Sequence, residues 1–321
     1  LIETGEALER GDEPSPTRSA VLVRLSHGHI RIGSFQRFLA LDEPRNIARL
    51  LDHAITTHMP DLWREAAADR ASAFLAEVVR RVARMGARWA AAGFVHGVLN
   101  TDNINVTGES FDYGPWRWLP HYDPDFTAAY FDTQGLYSFG RQPEALYWNL
   151  ARLADCLLTL APQTDLEAAL KGFGPALQAG FADALFARLG LAPAGPAETD
   201  RLVAAFWRFL AESRAPFEQV FFDWYGGVAG AARAAAGPAA ALYAGPSFAP
   251  VRDALEALAP APSARLDHPY FAGDRPCTLL VDEVEALWAP IAQADDWSAF
   301  SEKLAAIDRM AEAYGTAPAP A

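Results

Sequence analysis

From His96 to Gly114 the chain reads HGVLNTDNINVTGESFDYG, a dense run of polar groups inside an otherwise apolar text. Asp102 and Asn103 precede short β-type pieces and a glycine-bearing turn at Thr107 to Ser110, and Asp112-Tyr113-Gly114 follow it. That order predicts a loop followed by a tight hairpin. Hairpin arms lie about 5 Å apart, so Asn103 and Asp112 are expected to face one another across it. One amide oxygen and one carboxylate, completed by phosphate and water oxygens, are the donors that Mg²⁺ prefers. The stretch therefore predicts a metal-nucleotide site. Singly, Asp102, Asn103 and Asp112 are also ordinary turn formers that bond their own backbone. Their spacing to His96-Gly97 and the aspartate-aromatic-glycine triplet favour chemistry.

Upstream, AVLVRL (Ala20 to Leu25) and HIRIGSF (His29 to Phe35) carry β-branched residues around a polar break, which predicts two short strands or an extended segment. Glu43-Pro44 opens a helix through Ile47, Leu50, Leu51 and Ile55. Phe74, Leu75, Val78, Val79, Val82, Met85 and Trp89 mark one buried face of a second helix of about five turns. Downstream lies a loop rich in proline and aromatic residues, reaching about Pro143 and too long for a mere connector. Its Trp116, Trp118, Tyr122, Phe126, Tyr130 and Phe131 are expected to pack the loop rather than stack on a base. Helical patterns then cover Glu144 to Leu160, Leu166 to Leu189, Thr199 to Glu212, and Val281 to Tyr314 with a break at Pro290. The Ala-, Gly- and Pro-rich stretch from Gly226 to Ala264 predicts nothing definite. Strands do not alternate with helices, which argues against a doubly wound nucleotide-binding fold.

The 321 residues suffice for one large domain or two smaller ones. A formal charge of −13 opposes a non-specific grip on nucleic acid or anionic lipid, although a local basic cluster could still hold a nucleotide. No apolar run is long enough to span a membrane, and the default expectation is a soluble cytoplasmic protein. Cys156 and Cys277 have no metal-ligand spacing around them and are expected to be ordinary buried thiols. Lys171 and Lys303 are the only lysines. Leu1 leads directly into a polar stretch, so the chain is expected to begin inside a longer protein.

A His-Gly loop with a metal-binding Asn, a short hairpin and an Asp before Gly form the protein-kinase-like arrangement. The chain departs from it at Val98, where such phosphotransferases carry the catalytic Asp and this side chain accepts no proton. Asp102 is the carboxylate left in the loop to serve as base.

HGVLNTDN (His96 to Asn103), FDYGPW (Phe111 to Trp116), YDPDF (Tyr122 to Phe126), QGLYSF (Gln134 to Phe139) and QPEALYWNLARLA (Gln142 to Ala154) closely resemble the selenoprotein O family, SelO, also called YdiU. TGEALER (Thr4 to Arg10) and AVLVRLSHGHIRIGSFQRF (Ala20 to Phe38) are similar to that family's upstream segment. The resemblance runs from about Thr4 to Leu160 and weakens beyond, with FFDWYGG (Phe221 to Gly227) a further match.

The resemblance implies an α+β, protein-kinase-like fold: a partial, N-terminally truncated N-lobe over residues 1–40 and a mostly α-helical C-lobe over 41–321. The C-lobe would hold the catalytic loop (94–114) and an activation-type loop (115–143). It also implies transfer of AMP from ATP, or UMP from UTP, to Ser, Thr or Tyr hydroxyls of proteins with release of pyrophosphate. In that reading Asp102 is the general base, Asn103 and Asp112 hold Mg²⁺ or Mn²⁺, and Arg24 and Arg31 contact the nucleotide phosphates. His96 is expected to brace the loop, and the HxH of His27 and His29 is not expected to bind metal. Family members carry a Gly-rich loop and a phosphate-pairing Lys before the segment that opens this chain, and neither is present here. The family's redox pair also has no counterpart, since Ala128 stands at the loop position that can carry Cys, so no disulfide switch is expected. Two further readings stand beside transfer: a pseudokinase that binds ATP or a partner without chemistry, and a small-molecule phosphotransferase, which Val98 disfavours.

Overall fold

Helix α3, Ala67–Ala92, is the axis on which the other elements assemble in the computed structural model, which describes residues 2–9, 16–110 and 113–316. The expected apolar face from Phe74 to Trp89 is buried along its whole length. The helix is longer than that face because the alanine-rich start, where Ala71 is also buried, continues it. It stops at Gly93, whose φ of 68° suits glycine and turns the chain into the loop.

Around α3 pack α1 (Ile32–Ala40), α2 (Pro44–His58), α4 (Gln142–Leu157) and α5 (Gln163–Leu170), closing a first core that contains Ile32, Phe35, Ile55, Phe74 and Leu150. Pro44 opens α2 at its first turn, where a missing N–H costs nothing. Helix α6 (Phe173–Arg188) lies against α3 and passes into a second core with α7 (Pro196–Ser213), α8 (Phe217–Asp223) and α11 (Ala249–Glu256). A small aromatic cluster of Phe222, Tyr225 and Phe271 attaches the C-terminal helices α12 (Val281–Ala294) and α13 (Ser298–Ala313) through Ala313 and Tyr314.

The stretch without a clear pattern, residues 226–264, is built of short helices, including α9 (Ala231–Ala236) and α10 (Ala240–Tyr243). Aromatic wedges rather than periodicity hold it down. The rings of Phe209 and Trp224 lie 4.8 and 4.7 Å from that of Phe248.

Four expectations change. Leu166 to Leu189 is two helices, α5 and α6, rather than one. Pro290 lies inside α12, and the break comes at Asp295, whose φ is 54°. Strand β2 (Thr17–Val21) covers only the start of AVLVRL, and it pairs antiparallel with β1 (Ile2–Leu8), a strand that the polar text of TGEALER did not announce. HIRIGSF is not a strand, because Ile32 and Phe35, three apart, are both fully buried on one face of α1.

A hairpin forms further out than the expected one, whose arm at Asp112 lies outside the described residues. Phe94–Val95 (β3) pairs with Arg117–Trp118 (β4), well outside the Asn103 and Asp112 positions. The tight turn inside it runs from Asn105 to Gly108, whose N–H donates to Asn105 O at 3.0 Å with φ +72° at the glycine. The chain is thus mostly helical α+β, with two-stranded sheets among its described residues.

Candidate functional site

After Gly93 the chain enters β3 and then the loop from His96. His96 is buried, with its ring 5.4 Å from that of Trp89, and its Nδ1 accepts the Val98 N–H at 3.4 Å. It braces the loop, as expected. Its backbone N–H donates to Gln142 Oε1 at 2.9 Å, while Gln142 Nε2 donates to Phe94 O at 2.9 Å. Gly97 has φ +87°, and a Cβ there would come within 3.0 Å of Ala128 and Pro115. Only glycine turns the loop at that point without displacing its neighbours.

Leu99 O accepts a hydrogen bond from Asn149 Nδ2 at 2.9 Å, so a fully buried amide on α4 pins the loop's middle. A self-closed turn follows. Asn100 Oδ1 accepts the Asp102 N–H at 2.9 Å, Asn100 O accepts the Asn103 N–H at 3.0 Å, and Asn103 Oδ1 accepts the Asn100 N–H at 3.3 Å. Two of the turn's N–H groups are thereby satisfied by side chains, which holds Asp102 and Asn103 in fixed directions.

Helix α1 begins directly on this loop. Ile32 N–H donates to Ile104 O at 3.0 Å and Gly33 N–H to Thr101 O at 2.9 Å, giving two of the helix's orphan donors partners. The exposed carboxylate of Asp102 occupies the space over Gly33, where a Cβ would lie 2.0 Å from Oδ1. Arg31, half-buried, is the residue before α1 and forms a bridge with Asn105. The described contacts thus bring Asp102, Asn103 and Arg31 to one junction. Arg24 stands exposed on the segment between β2 and α1. Asp112 lies outside the described residues, and with it the expected pairing across from Asn103.

The end of that segment is stitched to the loop. Asn105 Nδ2 donates to Gly28 O at 2.9 Å, and Val106 N–H donates to Ile30 O at 3.0 Å. Glu109 accepts from Ser26 Oγ at 3.0 Å and pairs with His27 Nδ1. Burial pushes the Glu109 carboxyl up, but hydrogen bonds from Ser26, His27 and Thr107 outweigh it and hold the group below its ordinary range.

Among the described residues no three His, Cys, Asp or Glu side chains gather as a metal-binding group. The oxygen chemistry of the loop nevertheless suits a hard cation. An amide oxygen has two lone pairs, so Asn103 Oδ1 can bond its own turn and still ligate.

Sequence reasoning noted Asn100 only as one of the loop's polar groups, and it missed Gln142 and Asn149. The last two leave a signal, since amides seven apart share the α4 face that buries Leu146, Leu150 and Leu153. In the long loop, Trp116 and Trp118 pack on the first core and Tyr122 and Phe126 on the second, as expected. Tyr130 and Phe131 instead form an exposed pair, ring centroids 5.4 Å apart. Cys156 is buried, which pushes its thiol up to about 11, whereas Cys277 is only half-buried.

The loop, joined to a helix N-terminus and braced by buried amides, lies within the stretch over which the chain matches a transferase family. Over residues 1–232 the chain matches the family described as protein adenylyltransferase SelO, and it belongs to that family. The match extends past FFDWYGG, where Asp223 is fully buried and accepts hydrogen bonds from Tyr243 Oη at 2.7 Å and Gln219 Nε2 at 2.8 Å.

Similar proteins include the protein nucleotidyltransferase YdiU of Gloeobacter violaceus, 39% identical over 329 residues, 99% of this chain and 66% of the relative. Its namesake in Trichormus variabilis is 44% identical over 223 residues, 70% of this chain and 46% of the relative. That of Vibrio cholerae is 41% identical over 200 residues, 62% of this chain and 40% of the relative. The chain thus spans two-thirds or less of the length of these relatives.

Proposed function

We propose that this chain carries the catalytic loop and C-lobe of a kinase-like protein nucleotidyltransferase, with residues 1–40 a remnant of its N-lobe. It moves AMP from ATP, or UMP from UTP, onto Ser, Thr or Tyr hydroxyls of proteins. The observation that carries the reading is the Asp102 carboxylate, held exposed beside Asn103 at the junction of α1 and the loop. Val98, at the usual position of the base, can accept no proton, and Asp102 takes that part.

Asp102 accepts the proton of the substrate hydroxyl as its oxygen attacks the α-phosphorus. The bond from that phosphorus to the bridging oxygen breaks, and pyrophosphate leaves. Arg31 at the start of α1 and Arg24 upstream offer guanidinium forks that suit a multiply charged phosphate leaving group. Asn103 and Asp112 would hold Mg²⁺ or Mn²⁺, which when bound neutralises charge on the phosphates. The self-bonded turn at Asn100 limits the motion of Asp102, so orientation is prepared before substrate arrives.

Incubation with α-³²P-ATP and Mg²⁺ or Mn²⁺ tests this. The expected result is label on the protein itself or on a protein substrate, with pyrophosphate released. Label from γ-³²P-ATP alone would replace adenylylation by phosphotransfer. Nucleotide binding with no label from either would leave a pseudokinase.

A further inference from the structure

Helix α3 carries a second polar feature, on the side of the 107–110 loop away from the core. Arg80, Arg84 and Arg88 follow one another at four-residue spacing, about 6 Å per step along the axis, and all are exposed. Arg81 stands beside them. Between these side chains and the Thr107–Ser110 stretch lies a cleft of about 500 Å³ floored by Met85 and Trp89. In a chain with a net charge of −13, this is a local concentration of positive charge against the trend.

Its own acids do not cancel it. Glu77 is shared by Arg80 and Arg81 at 2.6 Å each, and Glu109 is committed to Ser26 and His27. Arg84 and Arg88 have no carboxylate within salt-bridge distance among the described residues. The opposite wall is close and polar. Arg81 donates to Thr107 O at 3.4 Å, a Cβ on Gly108 would lie 2.4 Å from that of Arg81, and Ser110 Oγ is buried with no hydrogen-bond partner.

We propose that this cleft binds a small polyphosphate anion, such as pyrophosphate or the phosphate tail of a nucleoside triphosphate. The volume falls within the range of small-ligand sites, roughly 300–1,000 Å³, which is short for an extended peptide. Guanidinium forks pair with phosphate oxygens two at a time. A row of them meets several phosphates of one chain, where a single phosphate engages one or two. The turn that walls the cleft leads two residues on to Asp112, and through Glu109 it holds the segment that bears Arg24. An anion in the cleft therefore acts on the nucleotide site from behind. That consequence rests on the proposed function; the binding does not.

Calorimetric titration with sodium tripolyphosphate, pyrophosphate and phosphate, in EDTA and at constant ionic strength, tests the site. Affinity is expected to fall in that order. The double substitution Arg84→Ser with Arg88→Ser is expected to weaken tripolyphosphate at least tenfold with unchanged Tm. No saturable binding by the unmodified chain, or undiminished binding by the double variant, would overturn the inference. So would binding of an acidic or phosphorylated peptide at these arginines with tripolyphosphate excluded. Because the titration needs neither metal nor transfer, failure of α-³²P labelling leaves it standing, and its failure leaves labelling untouched.

Discussion

The loop from His96 to Asn105 and the segment from Leu22 to Arg31 meet at one junction and are built in opposite ways. The loop is held by buried amides from α4 and by its own asparagine turn, so Leu99 O and the N–H groups of Asn100, Asp102 and Asn103 have assigned partners. The segment exposes Leu22, Val23 and Leu25 at 62, 72 and 94%, and from Ser26 onward it is stitched to the loop. A group that accepts a proton gains from being fixed in advance. A guanidinium that grips a charged ligand can instead be ordered by that ligand.

If that contrast holds, damage to the loop and to the segment should separate activity from stability in different ways. The largest effect is expected from Asp102→Ala: α-³²P labelling falls by about 100-fold or more, the scale of a lost general base. Its Tm should stay within a degree or two, since the carboxylate is exposed. Gly33→Ala comes next. Its Cβ takes the space of Asp102 Oδ1, so labelling should fall about tenfold or more through misplacement, with circular dichroism unchanged; full activity would show that the carboxylate's seat over α1 is immaterial.

Asn149→Ala probes the loop's support. It removes the donor to buried Leu99 O, and urea unfolding should show a loss of about 1–3 kcal/mol. Arg24→Ala, on the segment, should leave that unfolding curve in place while raising the KM for ATP about tenfold, the scale of one charge-assisted bond. The smallest effect is expected at Glu109. Its folded carboxyl is held below the ordinary 4.5, so its contribution to stability is present above that pH and is lost as pH falls through the lower folded value. Glu109→Gln should therefore lower Tm slightly near pH 7, with the difference from the unmodified chain vanishing in acid.

The helices around α3 were legible because their apolar residues recur at three and four over long windows, as from Phe74 to Trp89. The α1 region was not, because HIRIGSF alternates like a strand over four residues and only contact with Thr101 and Ile104 selects the helix. β1 was hidden because its residues are exposed and its partner, β2, lies further along the chain, leaving no local apolar signal. In the site, Asp102 and Asn103 stood out as charged and amide groups in a polar run. Gln142 and Asn149 did not, since a buried amide on a helix has the same letter as an exposed one and is told apart only by the backbone groups it meets.

Gln142 has one further consequence. By giving its N–H to Phe94 O and taking that of His96, its carboxamide makes the two bonds that a residue of a parallel neighbouring strand would make opposite Val95. One side chain on α4 thus takes the place of a third strand along the buried edge of β3. Substituting it would leave the buried Phe94 O and His96 N–H without that partner, so a lower stability to urea, ahead of any change in catalysis, is where its loss should first be seen.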